Sequence, residues 1–189
     1  MTTFQQYLQQ FFGLTEEETE KMSAFFKEES LKKGEFYIRE EQLCDRLSFI
    51  ASGYIRIYSD YNGKEVTQWI STPNYFITEI QSFMFGARSR FKMQALEDCQ
   101  LYSISKEDYN ALGQHIDHWD QIQQRFITAC FATLENRVFD HLSLTAEERY
   151  DKLFENNKDL FKHVPLQYLA SMLGMSAETF SRIRKKKIS

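Results

Sequence analysis

The sequence predicts an α+β chain: an antiparallel β-roll of double-stranded β-helix or jelly-roll type, a long helix, and a C-terminal (winged) helix-turn-helix. Three observations predict it. From Glu35 to about Ser105, runs such as FYIRE, LSFIASGYIRIYSD and EVTQWIS are rich in β-branched and aromatic residues and are punctuated by Lys33-Gly34, Ser52-Gly53 and Asn62-Gly63. After His118 the apolar spacing lengthens to three or four residues. The last residues, LQYLASMLGMSAETFSRIRKKKIS, place apolar, small and glycine residues at the offsets that two short helices crossing over a tight turn require.

The amino-terminal segment reads as two short helices split at Gly13, the second opened by a capping box of Thr15 and Glu18. In the strand-rich region, Asn62-Gly63 between alternating runs is a type I′ hairpin signal, because both central residues of that turn need positive φ. Trp119, Ile122, Phe126, Cys130, Leu134, Val138 and Leu142 then form one apolar stripe, with Ile127 and Phe131 beside it. A helix of about 25 residues would span ~38 Å. Two stripes imply two partners: the chain's own sheet and the same helix of a second subunit, the alternative being a helix consumed within one chain. Thr145 and Glu148 open a further amphipathic helix, AEERYDKLFENNKDLF, ending near Asn156-Asn157 and making three helices in the last unit. The chain therefore divides into residues 1–114, 115–143 and 144–189.

Composition narrows the function classes. At 189 residues, 42% hydrophobic and 15% aromatic, the chain has enough apolar mass for a core. The net charge of −4 is unevenly spread. Residues 144–189 hold nine Lys or Arg against six Asp or Glu, a net of +3, leaving −7 to the preceding 143. No run approaches a membrane span and the start lacks a secretory signal, so a cytoplasmic location is expected, with no membrane partner. Cys44, Cys99 and Cys130 are far apart and odd in number, which argues for inert buried thiols rather than disulfides, zinc or an iron–sulfur cluster. His115 and His118 lack a third ligand at metal spacing and read as surface residues, so no metal is expected. No nucleophile, base and orienting group assemble, so no catalytic residues and no enzyme are expected.

The terminal motif carries the functional reading. Leu169, Leu173, Met175, Phe180 and Ile183 supply the shared apolar face, Ala170 the small contact, Gly174 the positive φ that ends the first helix, and Ser176 the cap of the second. On the second helix Glu178, Ser181, Arg182 and Lys185 share one side, opposite Phe180 and Ile183. Such a row suits base edges in a major groove, since Arg pairs with guanine and a carboxylate accepts from cytosine, while Arg184 to Lys187 suit phosphates. The competing readings are an ordinary helical hairpin with a solvated basic tail, and a ligand-binding signalling module whose last helices hold a protein partner.

With roll, long helix and reading motif in that order, the chain resembles the Crp/Fnr family of bacterial transcription regulators over nearly its whole length. The roll resembles a cyclic-nucleotide-binding domain at Lys33-Gly34-Glu35, Leu47 to Ile50 with Gly53, Gly63-Lys64-Glu65, Phe76 to Ile80, and Ala95 to Cys99. Met175 to Arg182 is similar to the family's recognition helix. The resemblance implies a homodimer on a near-palindromic duplex, with RNA polymerase as a further partner. Glu178 and Arg182 would read bases, Gln167, Ser176 and Thr179 would touch phosphates, and Ala177 stands where the family's best-known member has an arginine, so one guanine contact would be missing. It implies an effector pocket at Thr78, Glu79, Ser89 and Arg90. Thr78-Glu79-Ile80 stands where Gly-Glu-Leu is expected, and Ser89-Arg90-Phe91 where Arg-Ser-Ala is expected. A one-position shift turns Arg90 to the other face unless a bulge restores it, and Phe91 crowds the site, so the expectation is an effector other than cyclic AMP, or none, and no cofactor, a cyclic nucleotide being the alternative.

Overall fold

A computed structural model describes residues 1–188; Ser189, the last residue of the expected C-terminal unit, lies outside them. Helix α1 (Thr3–Phe12) opens with a capping box between Thr2 and Gln5 and ends at Gly13, φ 71°. Helix α2 (Glu16–Ser23) opens with the expected Thr15–Glu18 box. Both helices pack Phe4, Leu8, Phe12 and Met22 on one outer face of the roll.

Eight strands follow: β1 (Lys27–Leu31), β2 (Phe36–Ile38), β3 (Arg46–Ser52), β4 (Ile55–Tyr61), β5 (Lys64–Ser71), β6 (Phe76–Ile77), β7 (Lys92–Ala95) and β8 (Cys99–Ser105). They form two four-stranded antiparallel sheets, ordered β1-β8-β3-β6 and β2-β7-β4-β5. Ile50, Ile55, Met93, Ala95 and Leu101 fill the space between them. Asn62 and Gly63 both have positive φ, 51° and 73°, at the β4–β5 hairpin, as a type I′ turn needs. Gly53, φ 92°, has no room for a side chain: a Cβ would lie 2.9 Å from the Asp98 carbonyl oxygen. The β4–β5 pairing shifts register between Ile57 and Tyr58, so that Gln68 bulges out of the ladder.

A short helix α3 (Ile80–Phe85) bridges β6 and β7, and α4 (Lys106–Ala111) runs into a 3₁₀ turn at Leu112–Gln114. The long helix α5 (Trp119–Ser143) begins four residues later than the expected 115, because His118 takes left-handed backbone, φ 61°, directly before it. Only its first turn is buried, at Trp119 and Ile122. Farther along, Ile127, Phe131, Leu134, Val138 and Leu142 stand exposed, Phe131 at 65% and Leu142 at 81%.

The last unit holds α6 (Ala146–Asn156), α7 (Leu160–His163), α8 (Leu166–Met172) and α9 (Ala177–Ile188). The Thr145–Glu148 capping box forms as expected, and α7 makes four helices rather than three. Among the described residues no strand follows Ser105, so the strands of the expected wing are not found among them. Cys44 and Cys99 are buried, with burial pushing the Cys99 thiol up to about 11, but Cys130 is exposed on α5 and departs from the buried-thiol reading. Among the described residues no helix is long and apolar enough to cross a membrane.

Candidate nucleic-acid interface and effector cavity

Helix α8 ends in a Schellman turn. The Met175 N–H donates to the Ala170 carbonyl at 3.0 Å and the Gly174 N–H to that of Ser171 at 3.0 Å, with Gly174 at φ 67°. The Ser176 hydroxyl then accepts the Thr179 N–H at 3.1 Å, capping α9. Phe180 and Ile183 turn inward onto Tyr150, Leu160, Leu169 and Leu173. Ala177, Glu178, Ser181, Arg182 and Lys185 are exposed together on the other side of α9, and Gln167 is exposed at the start of α8. Thr179 is half-buried, and its hydroxyl accepts from the Ser176 hydroxyl at 3.0 Å.

The basic tail is less free than its composition suggests. Lys186 reaches Glu147 at 3.1 Å, while Lys187 reaches Glu147 at 3.2 Å and Asp151 at 2.9 Å, so two of the four consecutive cations are held by α6. These ammonium groups hold the Glu147 carboxyl below its usual range. Half of the cluster expected to serve phosphates is thus paired within the chain, through exposed contacts that a phosphate can compete for.

The opposite side of α8 is docked on the chain's own roll. Where β5 bulges, the Thr67 N–H donates to the Ser171 hydroxyl at 2.9 Å. The buried Arg56 guanidinium lies 3.7 Å from the Tyr168 ring centre and pairs with Glu65 at 2.6 Å. Tyr54 stacks on His163, ring centres 5.0 Å apart, and His163 Nδ1 lies 3.2 Å from Glu97. Docking uses α8 and α7, and leaves the α9 row facing outward.

A cavity of about 290 Å³ lies between the roll and α5, lined among others by Trp69, Thr78, Glu79, Phe91, Thr133 and Arg137. Of the four expected effector residues, Thr78 and Glu79 border it, and Ser89 and Arg90 do not. The buried Glu79 carboxylate accepts the Ser82 N–H at 2.6 Å and so caps α3 itself, occupying a donor that an anion would need. Thr78 donates its hydroxyl to the Arg46 carbonyl at 2.9 Å. The Ser89 hydroxyl is tied to Phe91, donating to its carbonyl at 2.9 Å and accepting its N–H at 3.1 Å. Arg90 is exposed, its guanidinium 4.8 Å from the Phe91 ring centre, and the Phe91 ring takes the cavity wall. The cation that does border the cavity, Arg137, comes from the long helix, and no pattern in the sequence singled it out.

Residues 28–115 match the family model of the cyclic nucleotide-binding domain. The cyclic AMP receptor protein of Thermus thermophilus is 24% identical over 178 residues, which cover 92% of this chain and 82% of that one. The crystal structure of the catabolite activator protein from the same organism aligns with a TM-score of 0.60 at 22% identity, covering 93% of this chain and 84% of that one. FixK2 from Bradyrhizobium japonicum aligns at 0.72 and 16% identity, covering 85% and 83%. A Crp/Fnr-family regulator from Eubacterium rectale aligns at 0.70 and 16%, covering 97% and 88%. Residues 28–115 thus match the cyclic nucleotide-binding domain model, and the chain shares with these solved structures a fold of β-roll, long helix and C-terminal helical unit.

Proposed function

We propose that this protein is a non-enzymatic, homodimeric transcription regulator that binds a near-palindromic DNA site through α9 and answers to a small molecule other than cyclic AMP. The carrying observation is the sorting of α9 into a buried Phe180–Ile183 face and an exposed row of Glu178, Ser181, Arg182 and Lys185. A helix anchored on one side and presenting Arg, Ser and Glu on the other has the form of a major-groove reader. Ala177 leaves one position of that row without a hydrogen-bonding side chain, so the preferred sequence differs from that of a reader with arginine there.

The exposed stripe on α5 supports the dimer. Five large apolar side chains on one face of a helix form a patch that a second copy would cover along a two-fold axis. Two α9 helices so related would enter successive major grooves about 34 Å apart. The capped Glu79, the outward Arg90 and the inward Phe91 support an effector unlike a cyclic phosphate. Selection of bound sequences from random duplexes with purified protein tests the reading. A symmetric consensus with half-sites one turn apart is expected; no enrichment above bulk duplex would refute it.

A further inference from the structure

A second cavity, of about 480 Å³, opens where the roll, α5 and the C-terminal unit meet. Its size falls in the range of small-molecule sites, about 300–1,000 Å³. Trp69 and Tyr75 form its aromatic wall, and Asn136, Arg137, Arg149 and Lys152 are its principal polar lining. The two guanidiniums converge: Arg137 Nη2 donates to the Met172 carbonyl at 3.2 Å and Arg149 Nε to the adjacent Leu173 carbonyl at 3.0 Å. Arg137 also lies 4.9 Å from the Trp69 ring centre.

Among the described residues neither arginine has a carboxylate within ion-pair distance, and the cavity's acid, Asp140, is already held by Lys152 at 2.6 Å. The lining therefore carries, among the described residues, two guanidiniums bonded to backbone carbonyls but to no carboxylate, beside an aromatic wall. Burial without a compensating acid pushes the Arg137 guanidinium below its usual range, the direction that an incoming anion would reverse. We infer that this interdomain cavity is a binding site for a small aryl anion, its carboxylate or phosphate on Arg137 and Arg149 and its ring against Trp69 and Tyr75.

The site stays open in a dimer. At 100° per residue, Thr133, Asn136 and Asp140 face away from the side that carries Phe131, Val138 and Leu142, while Arg137 lies about 60° from Leu134 at the edge of the apolar stripe. A second α5 laid on the apolar stripe leaves the Asn136 and Asp140 side of the cavity uncovered. The site adjoins the roll cavity and shares Trp69, Tyr75, Thr133 and Arg137 with it, but Asn136 and Arg149 border only the interdomain one and Phe91 only the other, so variants at those positions separate the two.

The chain has two tryptophans, so the indole N–H resonances of Trp69 and Trp119 serve as reporter and control. Titration of the full-length protein with phenyl phosphate, benzoate and uncharged benzyl alcohol should shift the Trp69 resonance to saturation with the two anions, leave Trp119 in place, and show benzyl alcohol at least tenfold weaker. Whichever anion binds tighter identifies the preferred headgroup. Arg149→Gln should weaken the anions by about tenfold or more, the loss of one charge-assisted contact. Because Arg149 also bonds the Leu144 carbonyl at 2.7 Å, Asn136→Phe provides a second variant that fills the cavity from an exposed helix position with both arginines intact, and it should abolish binding. Phe91→Ala, in the roll cavity, should leave the affinity unchanged. Absence of saturation, equal affinity for benzyl alcohol, or binding that ignores Asn136→Phe but responds to Phe91→Ala would overturn the assignment.

Discussion

Phe180→Ala tests how the reading helix is held. Phe180 is 1% exposed and packs edge-on against Tyr150, ring centres 5.1 Å apart, and face-on against Phe161 at 6.0 Å. Truncating a fully buried phenylalanine costs about 3–5 kcal/mol, through lost transfer energy and the cavity left behind. The two ring contacts, each worth about 0.5–1.5 kcal/mol, are part of that sum. Hydrogen exchange of the α8 and α9 amides measures it directly, and at about 1.4 kcal/mol per decade protection should fall by roughly two to four decades. Arg182→Ala, at an exposed position on the same helix, should stay within about ±0.5 kcal/mol. A loss below about 1 kcal/mol for Phe180→Ala would refute the claim that this ring anchors α9.

Replacing Phe131 and Leu142 together by Asp and Glu should halve the solution mass at micromolar concentration, because charges then sit in the proposed dimer seam; sedimentation equilibrium showing an unchanged mass would place the subunit contact elsewhere. Ser171→Ala removes the partner of the Thr67 N–H, and an orphaned, partly buried donor should cost about 1–3 kcal/mol in urea unfolding, whereas a neutral result would mean that α8 does not rest on β5 through that bond. Acid stability carries a further signature. Hydrogen bonds from the Thr145 N–H and hydroxyl hold the Glu148 carboxyl below its ordinary 4.5, and those from Thr15 do the same for Glu18. Lowered folded-state values mean that this stabilisation is complete above about pH 4.5 and is lost as pH falls through the lowered values. The urea midpoint of Glu148→Gln should therefore decline less between pH 5 and pH 3 than that of the wild type, and parallel declines would contradict the assignment.

Features written in adjacent residues were legible before any coordinates. The Thr15–Glu18 and Thr145–Glu148 boxes, the Asn62-Gly63 hairpin and the Gly174 turn each depend on side chains within a few positions of one another. The outward row of α9 follows from helical periodicity alone. Long-range pairing left no such trace. The Ser171–Thr67 bond joins residues 104 apart, and the packing of Tyr168 on Arg56 looks from the sequence like any exposed aromatic and any strand arginine. Docking of α8 on the roll, the convergence of Arg137 and Arg149, and the capture of Lys186 and Lys187 by α6 all belong to this class. At the roll cavity Arg90 does face outward, but from a bend just before β7 rather than by the strand alternation that the sequence argument used, and the capping role of Glu79 needed the geometry of α3.

The most direct test of the central claim is the salt dependence of binding to the selected duplex, measured for the wild type and for Arg182→Ala. If two α9 ridges seat in adjacent grooves with about six to ten phosphates neutralised, affinity falls by three to five decades between 50 and 200 mM salt. Arg182→Ala should then cost roughly 1–3 kcal/mol on that sequence and relax discrimination at one base pair of each half-site. A nearly salt-independent affinity, with Arg182→Ala losing nothing at any base pair, would contradict the account.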